Sequence, residues 1–157
     1  MQYILALIII VIDQITKYLI VSNLTVFQSI PIIENIFHIT YIRNKGMAFG
    51  MMQNQRLFFI IVTTIVLSGI FVYYFKNKSS VTGIFKYSLF MVAAGAIGNL
   101  IDRIRLSYVI DFFDFRMWPV FNIADMAIVC GTIMLCYYIF FIEPKLNKEK
   151  EDEFGNI

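Results

Sequence analysis

Four apolar stretches, each close to the length that crosses a bilayer, constrain this chain more than any other feature. They run over about 4–22, 57–75, 85–101 and 120–142 of the 157 residues, and a spanning α-helix needs about 20 apolar residues. The composition is 59% hydrophobic and 15% charged, against about 45–50% and 25% in soluble domains. The sequence therefore predicts a mostly α-helical membrane protein with four transmembrane helices and both termini on one side.

The connections between these spans differ in character. The first, over about 24–50, contains "VFQSIPIIENIFHITYIRN", whose β-branched and aromatic residues predict a small sheet of short strands at the membrane surface. The tail 144–157 is charged, and we expect it to lack secondary structure. Six Lys or Arg residues on each side leave the orientation undecided. The net charge of +2 is scattered, which gives nucleic-acid binding little support.

The ionisable residues inside the spans cluster in short motifs, and each is a functional hypothesis because burying a charge in lipid is costly. In "DQITK", Asp13 and Lys17 are four residues apart, an order that favours an ion pair on one helix face. We expect a self-neutralising pair, with Lys17 reaching toward the membrane interface, rather than a catalytic group.

Two further motifs leave alternatives open. In "RNKGMAFG", Asn44 and Gly46 fit either a loop that a ligand approaches closely or a strand that ends in a turn. In "GAIGNLIDR", Asn99, Asp102 and Arg103 are spaced to point into one cavity. The same spacing also fits a helix-packing face that ends in a capping charge pair.

Two acids, Asp111 in "VIDFFDF" and Asp125 in "FNIADMAI", are embedded in apolar sequence. If spans three and four pack together, these carboxylates could share one proton, which is the arrangement of an aspartyl peptidase. Helix capping at the membrane boundary explains the same acids equally well. Asp114 reads as a surface or supporting residue.

Other chemistries have less support. The chain has one histidine, His38, so a multi-histidine metal site is excluded. Cys130 and Cys136 are six residues apart, about 240° around a helix, which suits neither a disulfide nor a metal. We expect them to be small buried hydrophobic residues, and we expect no metal site.

Taken in order, the motifs D-Q-x-T-K, N-x-G-x-A-F-G, G-x-x-G-N-x-x-D-R, V-x-D-F and F-N-x-A-D resemble those of the lipoprotein signal peptidases, the type II signal peptidases of bacteria. The resemblance implies an aspartyl endopeptidase of the bacterial cytoplasmic membrane. Such an enzyme removes the signal peptide of a prolipoprotein before a diacylglyceryl-modified cysteine. It also implies that Asp111 and Asp125 are the catalytic dyad.

The resemblance assigns further roles. Five residues take substrate-contacting or dyad-supporting positions: Asn44, Gly46, Asn99, Arg103 and Asn122. Asp13, Lys17 and Asp102 become structural polar residues, and no cofactor is implied. We expect a monomer in contact with membrane lipid, with a peptidase domain over 1–143 and a cytoplasmic tail over 144–157. Both termini are then cytoplasmic, whereas the sheet and the dyad are near the outer face.

Two rival classes also accommodate acids within a membrane. A small proton-coupled transporter could use Asp13 or Asp125 as its coupling site, but it would not require two acids at one boundary. A structural or chaperone-like subunit would not require so many polar motifs.

Overall fold

The computed structural model describes residues 1–46, 54–78, 81 and 83–154. Four long helices alternate with strands and turns, and their bounds are α1 Gln2–Asn23, α2 Arg56–Lys76, α3 Gly83–Leu106 and α4 Ile123–Tyr137. Three strands lie between them: β1 Ser29–Ile33, β2 Phe37–Asn44 and β3 Val109–Asp114. A π-helical turn, Tyr138–Ile142, joins α4 to α5, Glu143–Phe154.

Within the described residues, four helices are long and apolar enough to cross a membrane, the fourth running over Ile123–Lys148. The predicted fold of four spans with a small sheet is confirmed. The fourth helix begins three residues later than predicted because Asn122, in extended backbone, caps it.

Helix α3 occupies the centre of the bundle and packs against α1, α2 and α4. Its small residues permit this close approach. A Cβ atom on Gly95 would overlap the carbonyl oxygen of Ala124, and one on Gly98 would lie 2.7 Å from Asp13 Oδ2. The glycines of "GAIGNLIDR" therefore bring the polar residues of α1 and the start of α4 against α3.

The sheet has the order β1-β2-β3 with antiparallel pairs. Its third strand comes from the connection between α3 and α4, a segment that we did not predict to be extended. The residues "VIDFFD" are rich in the side chains that favour strands, and β2 offers a partner edge, with Ile42 opposite Asp111 and Asn44 opposite Val109. The pairing brings the acidic motif "VIDFFDF" beside Asn44 of the motif "RNKGMAFG".

The sheet lies where α1 and α3 end and where α2 and α4 begin. Arg56, the first residue of α2, fixes this end of the bundle. Its Nε donates to the carbonyl oxygen of Arg103 at 2.8 Å and its Nη2 donates to that of Ile104 at 2.7 Å. The bond to Ile104 satisfies a carbonyl that the last turn of a helix leaves without a partner. The bond to Arg103 adds to the one that its oxygen accepts from the N–H of Ser107 at 3.2 Å.

Two expectations about the C-terminal part are wrong. The tail is helical through Phe154, because its Glu, Lys and Leu residues favour helix and it continues directly from α4. The π-helical turn comes just before Pro144, which cannot donate a helical hydrogen bond.

Cys130 and Cys136 are exposed on the protein surface, where neighbouring lipid rather than protein can cover them.

We predict that Gly98→Ala destabilises the fold by about 1–3 kcal/mol, the usual cost of overpacking. The oxygen that the new methyl group would meet cannot move freely, because Asp13 Oδ2 is paired with Lys17 Nζ at 2.9 Å. The apparent Tm in detergent micelles measures the effect. Gly69→Ala is the matched control, because a Cβ there meets nothing within 4 Å and alanine favours a helix over glycine. An unchanged Tm for Gly98→Ala would contradict this packing.

Candidate active site

The two predicted catalytic acids lie at the sheet end of the bundle. Asp111 is the third residue of β3, and Asp125 is the third residue of α4. Asp111 is 2% exposed, whereas Asp125 is half-buried. Both line a cavity of about 880 Å³. The fold therefore brings together two carboxylates that are fourteen residues apart in the sequence.

Asn122 connects the two carboxylates. Its side-chain Nδ2 donates to Asp111 Oδ1 at 2.7 Å, and its backbone N–H donates to Asp125 Oδ2 at 3.2 Å. Its Oδ1 accepts from the backbone N–H of Asp125 at 2.9 Å, which completes a capping box. Because a backbone N–H can only donate, it fixes the amide with Nδ2 toward Asp111. The helix cap and the link between the acids are the same residue.

Asn44 supplies a second donor to Asp111. Its Nδ2 donates to Asp111 Oδ2 at 2.9 Å, while its Oδ1 accepts from the backbone N–H of Gly46 at 2.9 Å. The Gly46 N–H thereby orients the Asn44 amide. Both residues also line the cavity. The rest of the predicted motif, 47–50, is outside the described residues.

Asn99 supplies a second donor to Asp125. Its Nδ2 donates to Asp125 Oδ1 at 2.7 Å, and its Oδ1 accepts from Lys17 Nζ at 3.0 Å and from Asn122 Nδ2 at 3.1 Å. Each carboxylate is therefore held by two donors, and an asparagine side chain provides at least one of them.

The burial of Asp111 changes its acidity. Burial, together with the nearby charge of Asp125, raises the pKa of Asp111 from its ordinary value to about 7, although hydrogen bonds from Asn44 and Asn122 oppose the rise. Desolvation penalises the charged carboxylate, and a like charge penalises it further. Near neutral pH, Asp111 is therefore able both to hold a proton and to release it.

Behind the dyad is a buried ionic cluster of Asp13, Lys17 and Asp102. Lys17 Nζ is 2.9 Å from Asp13 Oδ2 and 2.9 Å from Asp102 Oδ2. All three residues are at most 3% exposed. The predicted ion pair is present, but Lys17 points into the protein, because a second carboxylate and Asn99 accept from it there. Asp102 contacts this cluster rather than the cavity.

Arg103 lines the cavity, as Asn99 does. Its guanidinium carbon lies 4.9 Å from the centre of the Phe59 ring, a cation–π distance. The rest of the cavity wall is mainly apolar. Six aromatic side chains contribute to it: Phe37, Phe59, Phe113, Phe115, Trp118 and Phe121.

Asp114 has a different environment from Asp111. It is 6% exposed, so the surface alternative is wrong, and its bond to Thr40 of β2 fits the supporting alternative. Thr40 Oγ1 and Arg116 Nη1 donate to its Oδ2 at 2.7 Å and 3.1 Å. Burial raises the pKa of Asp114, but the hydrogen bonds from Thr40 and Arg116 outweigh it and leave the pKa below its ordinary value.

Sequence reasoning gave no role to Gln14, although it lies within "DQITK". Its Nε2 is 3.1 Å from Asp13 Oδ2 and 3.2 Å from Asp102 Oδ1. Its position beside Asp13 was the available signal. The aromatic wall had no such signal, because its members come from the sheet, α2 and the loop before α4.

Comparisons with known proteins point to one family. The family model "Signal peptidase (SPase) II" matches residues 5–141. A lipoprotein signal peptidase of Halothermothrix orenii is 46% identical over 89% of this chain and 95% of its own length. One of Clostridioides difficile is 45% identical over 92% and 99%.

A bacterial membrane enzyme solved by the in meso method at 2.3 Å resolution has a TM-score of 0.83 at 32% identity and covers 94% of this chain and 90% of that chain. A second such structure, at 1.9 Å, has a TM-score of 0.80 at 31% identity and covers 90% and 93%. Because the matched segment contains the sheet, both acids and most of the four-helix bundle, the chain belongs to the signal peptidase II family.

Proposed function

We propose that this membrane peptidase is an aspartyl endopeptidase that removes the signal peptide of prolipoproteins, cutting the bond before a diacylglyceryl-modified cysteine. The observation that carries the proposal is the pair Asp111 and Asp125, joined through Asn122 at one cavity. The names of the relatives, lipoprotein signal peptidases, support the substrate class.

The chemistry follows from one proton shared between two carboxylates. The ionised carboxylate removes a proton from a water molecule, whose oxygen attacks the scissile carbonyl carbon, while the protonated partner donates to the carbonyl oxygen. When the tetrahedral intermediate collapses, the C–N bond breaks and the leaving nitrogen takes up a proton from the dyad. The products are a carboxylate on the signal peptide and a free amine on the cysteine.

The asparagines hold the two carboxylates in position during these steps. Asn44 and Asn122 each donate to one oxygen of Asp111, and Asn99 donates to Asp125. These donors stabilise whichever carboxylate is ionised. They also stop the side chains from rotating away from the substrate.

The remaining predicted site residues fit substrate contacts. The guanidinium of Arg103 is held on Phe59 and lines the cavity, where it can donate to a peptide carbonyl oxygen. Gly46 orients Asn44 and has no side chain to obstruct the peptide. The apolar walls suit the acyl chains of a lipid-modified cysteine.

The proposed setting is the bacterial cytoplasmic membrane. Residues 1–143 form one monomeric peptidase unit in contact with lipid, and 144–157 is a cytoplasmic tail. With both termini cytoplasmic, the sheet and the dyad are near the outer face. The topology supports this arrangement, since the sheet connects the helix ends opposite the chain termini.

We predict that Asp111→Asn and Asp125→Asn each lose at least about 100-fold in cleavage rate, because general acid–base catalysis is worth this much or more. Both variants should remain folded, since asparagine has nearly the same shape as aspartate. The assay follows cleavage of a diacylglyceryl-modified precursor in detergent.

Asp114→Asn is the matched control for this experiment. It removes an acid from the same motif, "VIDFFDF", three residues from Asp111, and it leaves the dyad's donors in place. We expect it to keep most of the activity. Retained cleavage in either dyad variant would overturn the aspartyl mechanism.

We predict a loss of activity as the pH rises through about 7, because the pKa of Asp111 is about 7 and the dyad needs one proton. Asn44→Ala removes a hydrogen bond that favours ionised Asp111, so it should raise this pKa and move the loss to higher pH. Initial rates measured across the pH range give the midpoint.

Thr40→Val is the control for the pH measurement. It removes a hydrogen bond to Asp114 rather than to Asp111, so the midpoint should stay where it is in the wild type. A midpoint that moved to lower pH in Asn44→Ala would contradict the assigned role of Asn44.

A further inference from the structure

The ammonium group of Lys17 has three acceptors at bonding distance, which matches its three hydrogens. These acceptors are Asp13 Oδ2 at 2.9 Å, Asp102 Oδ2 at 2.9 Å and Asn99 Oδ1 at 3.0 Å. Lys17 is 1% exposed, although a charge there is costly to bury. Ion pairing with one acid would neutralise it, so the other two contacts need a separate explanation.

The two acids that bind Lys17 also bind the backbone beside the dyad. Asp13 Oδ1 accepts from the N–H of Ala124 at 2.9 Å, one residue before Asp125. Asp102 Oδ2 accepts from the N–H of Ile110 at 3.2 Å, one residue before Asp111. One ammonium group therefore connects the start of α4 with β3, the two elements that carry the catalytic acids.

The third acceptor connects Lys17 to a catalytic carboxylate through one side chain. An ammonium group can only donate, so it fixes the Asn99 amide with Oδ1 toward Lys17 and Nδ2 toward Asp125. In the opposite orientation, the amide oxygen of Asn99 would face the carboxylate of Asp125 and repel it. Without Lys17, Asn122 Nδ2 would be the one remaining donor to Asn99 Oδ1 among the described residues.

We propose that Lys17 is a positioning residue of the dyad, which sets through Asn99 the hydrogen bond that Asp125 receives. The inference rests on the proposed aspartyl mechanism. It goes beyond a structural ion pair, because it assigns to Lys17 an effect on the chemical step that depends on Asn99.

A double-mutant cycle with Lys17→Met and Asn99→Ala tests the proposal. In the wild-type background, we expect Lys17→Met to lower kcat about 10- to 100-fold with KM nearly unchanged, the worth of a hydrogen bond to a charged group. In the Asn99→Ala background, the same substitution should cost less than about 3-fold, because the path through Asn99 is already absent.

The loss of Lys17 leaves two buried acids without a cation, so Asp13→Asn/Lys17→Met serves as the second variant if the single variant does not fold. Its asparagine keeps an acceptor for the Ala124 N–H. This double variant is compared in the wild-type and Asn99→Ala backgrounds, and we expect the loss of kcat to be smaller in the second background. Equal losses of kcat in both backgrounds, or a wild-type kcat for the folded variant, would overturn the proposal.

Gln14→Met is the matched control, because Gln14 bonds Asp13 and Asp102 and does not donate to Asn99. We expect it to lower the apparent Tm and to change kcat by the same factor in both Asn99 backgrounds. A dependence on Asn99 as large as that of Lys17 would also overturn the proposal, since any damage to the cluster would then have the same effect.

Asp111→Asn and Asp125→Asn, assayed alongside, separate this inference from the function on which it rests. If either cleaves the precursor, the aspartyl mechanism fails. If neither does and the Lys17 effect is independent of Asn99, only the positioning role fails.

Discussion

The bonds made by Asn122 are the interaction on which the rest of the site depends. A helix that starts near a membrane boundary must satisfy its first N–H groups, and the capping box of Asn122 and Asp125 does so. The same asparagine has a second function, because its Nδ2 donates to Asp111 at 2.7 Å. Capping and the proposed catalysis are therefore compatible roles for Asp125. The cap that starts α4 also holds Asp125 at the cavity that Asp111 lines.

The buried cluster around Lys17 separates this protein from a proton-coupled transporter. A coupling site must gain and lose its ion, which requires acceptors that become accessible during the cycle. Asp13 and Asp102 instead bind Lys17, the side chain of Gln14 and the backbone of α4 and β3. Opening this cluster would disturb both elements that carry the dyad. The half-buried Asp125, which lines the cavity, is the more accessible acid.

The sequence predicted the features that depend on local composition or on isolated polar residues. Hydropathy indicated four spans, and the cost of a charge in an apolar run identified Asp111 and Asp125. The sequence did not indicate β3. A mostly apolar segment of six residues also fits the end of a helix, and the pairing of β3 with β2 is a tertiary contact. The direction of Lys17 was mispredicted for a similar reason. Snorkelling is the default for a lysine near a helix end, but here α3 offers two acceptors that are distant in sequence.

The position of the cavity limits what its walls can contribute to substrate selection. Thr63 of α2, Val129 of α4 and Phe113 of β3 all line it. Under the proposed function, a lipid-modified peptide places its acyl chains between helices and its backbone against the sheet. Moving an acyl chain from bilayer to an apolar cavity gains little, because lipid tails are as apolar as the wall. The apolar walls therefore spare the acyl chains a loss of free energy on leaving the bilayer, but they add little binding affinity. Under the proposed function, discrimination among membrane-anchored peptides then depends on the polar end of the cavity, where Asn44 binds Asp111 and Arg103 lines the wall.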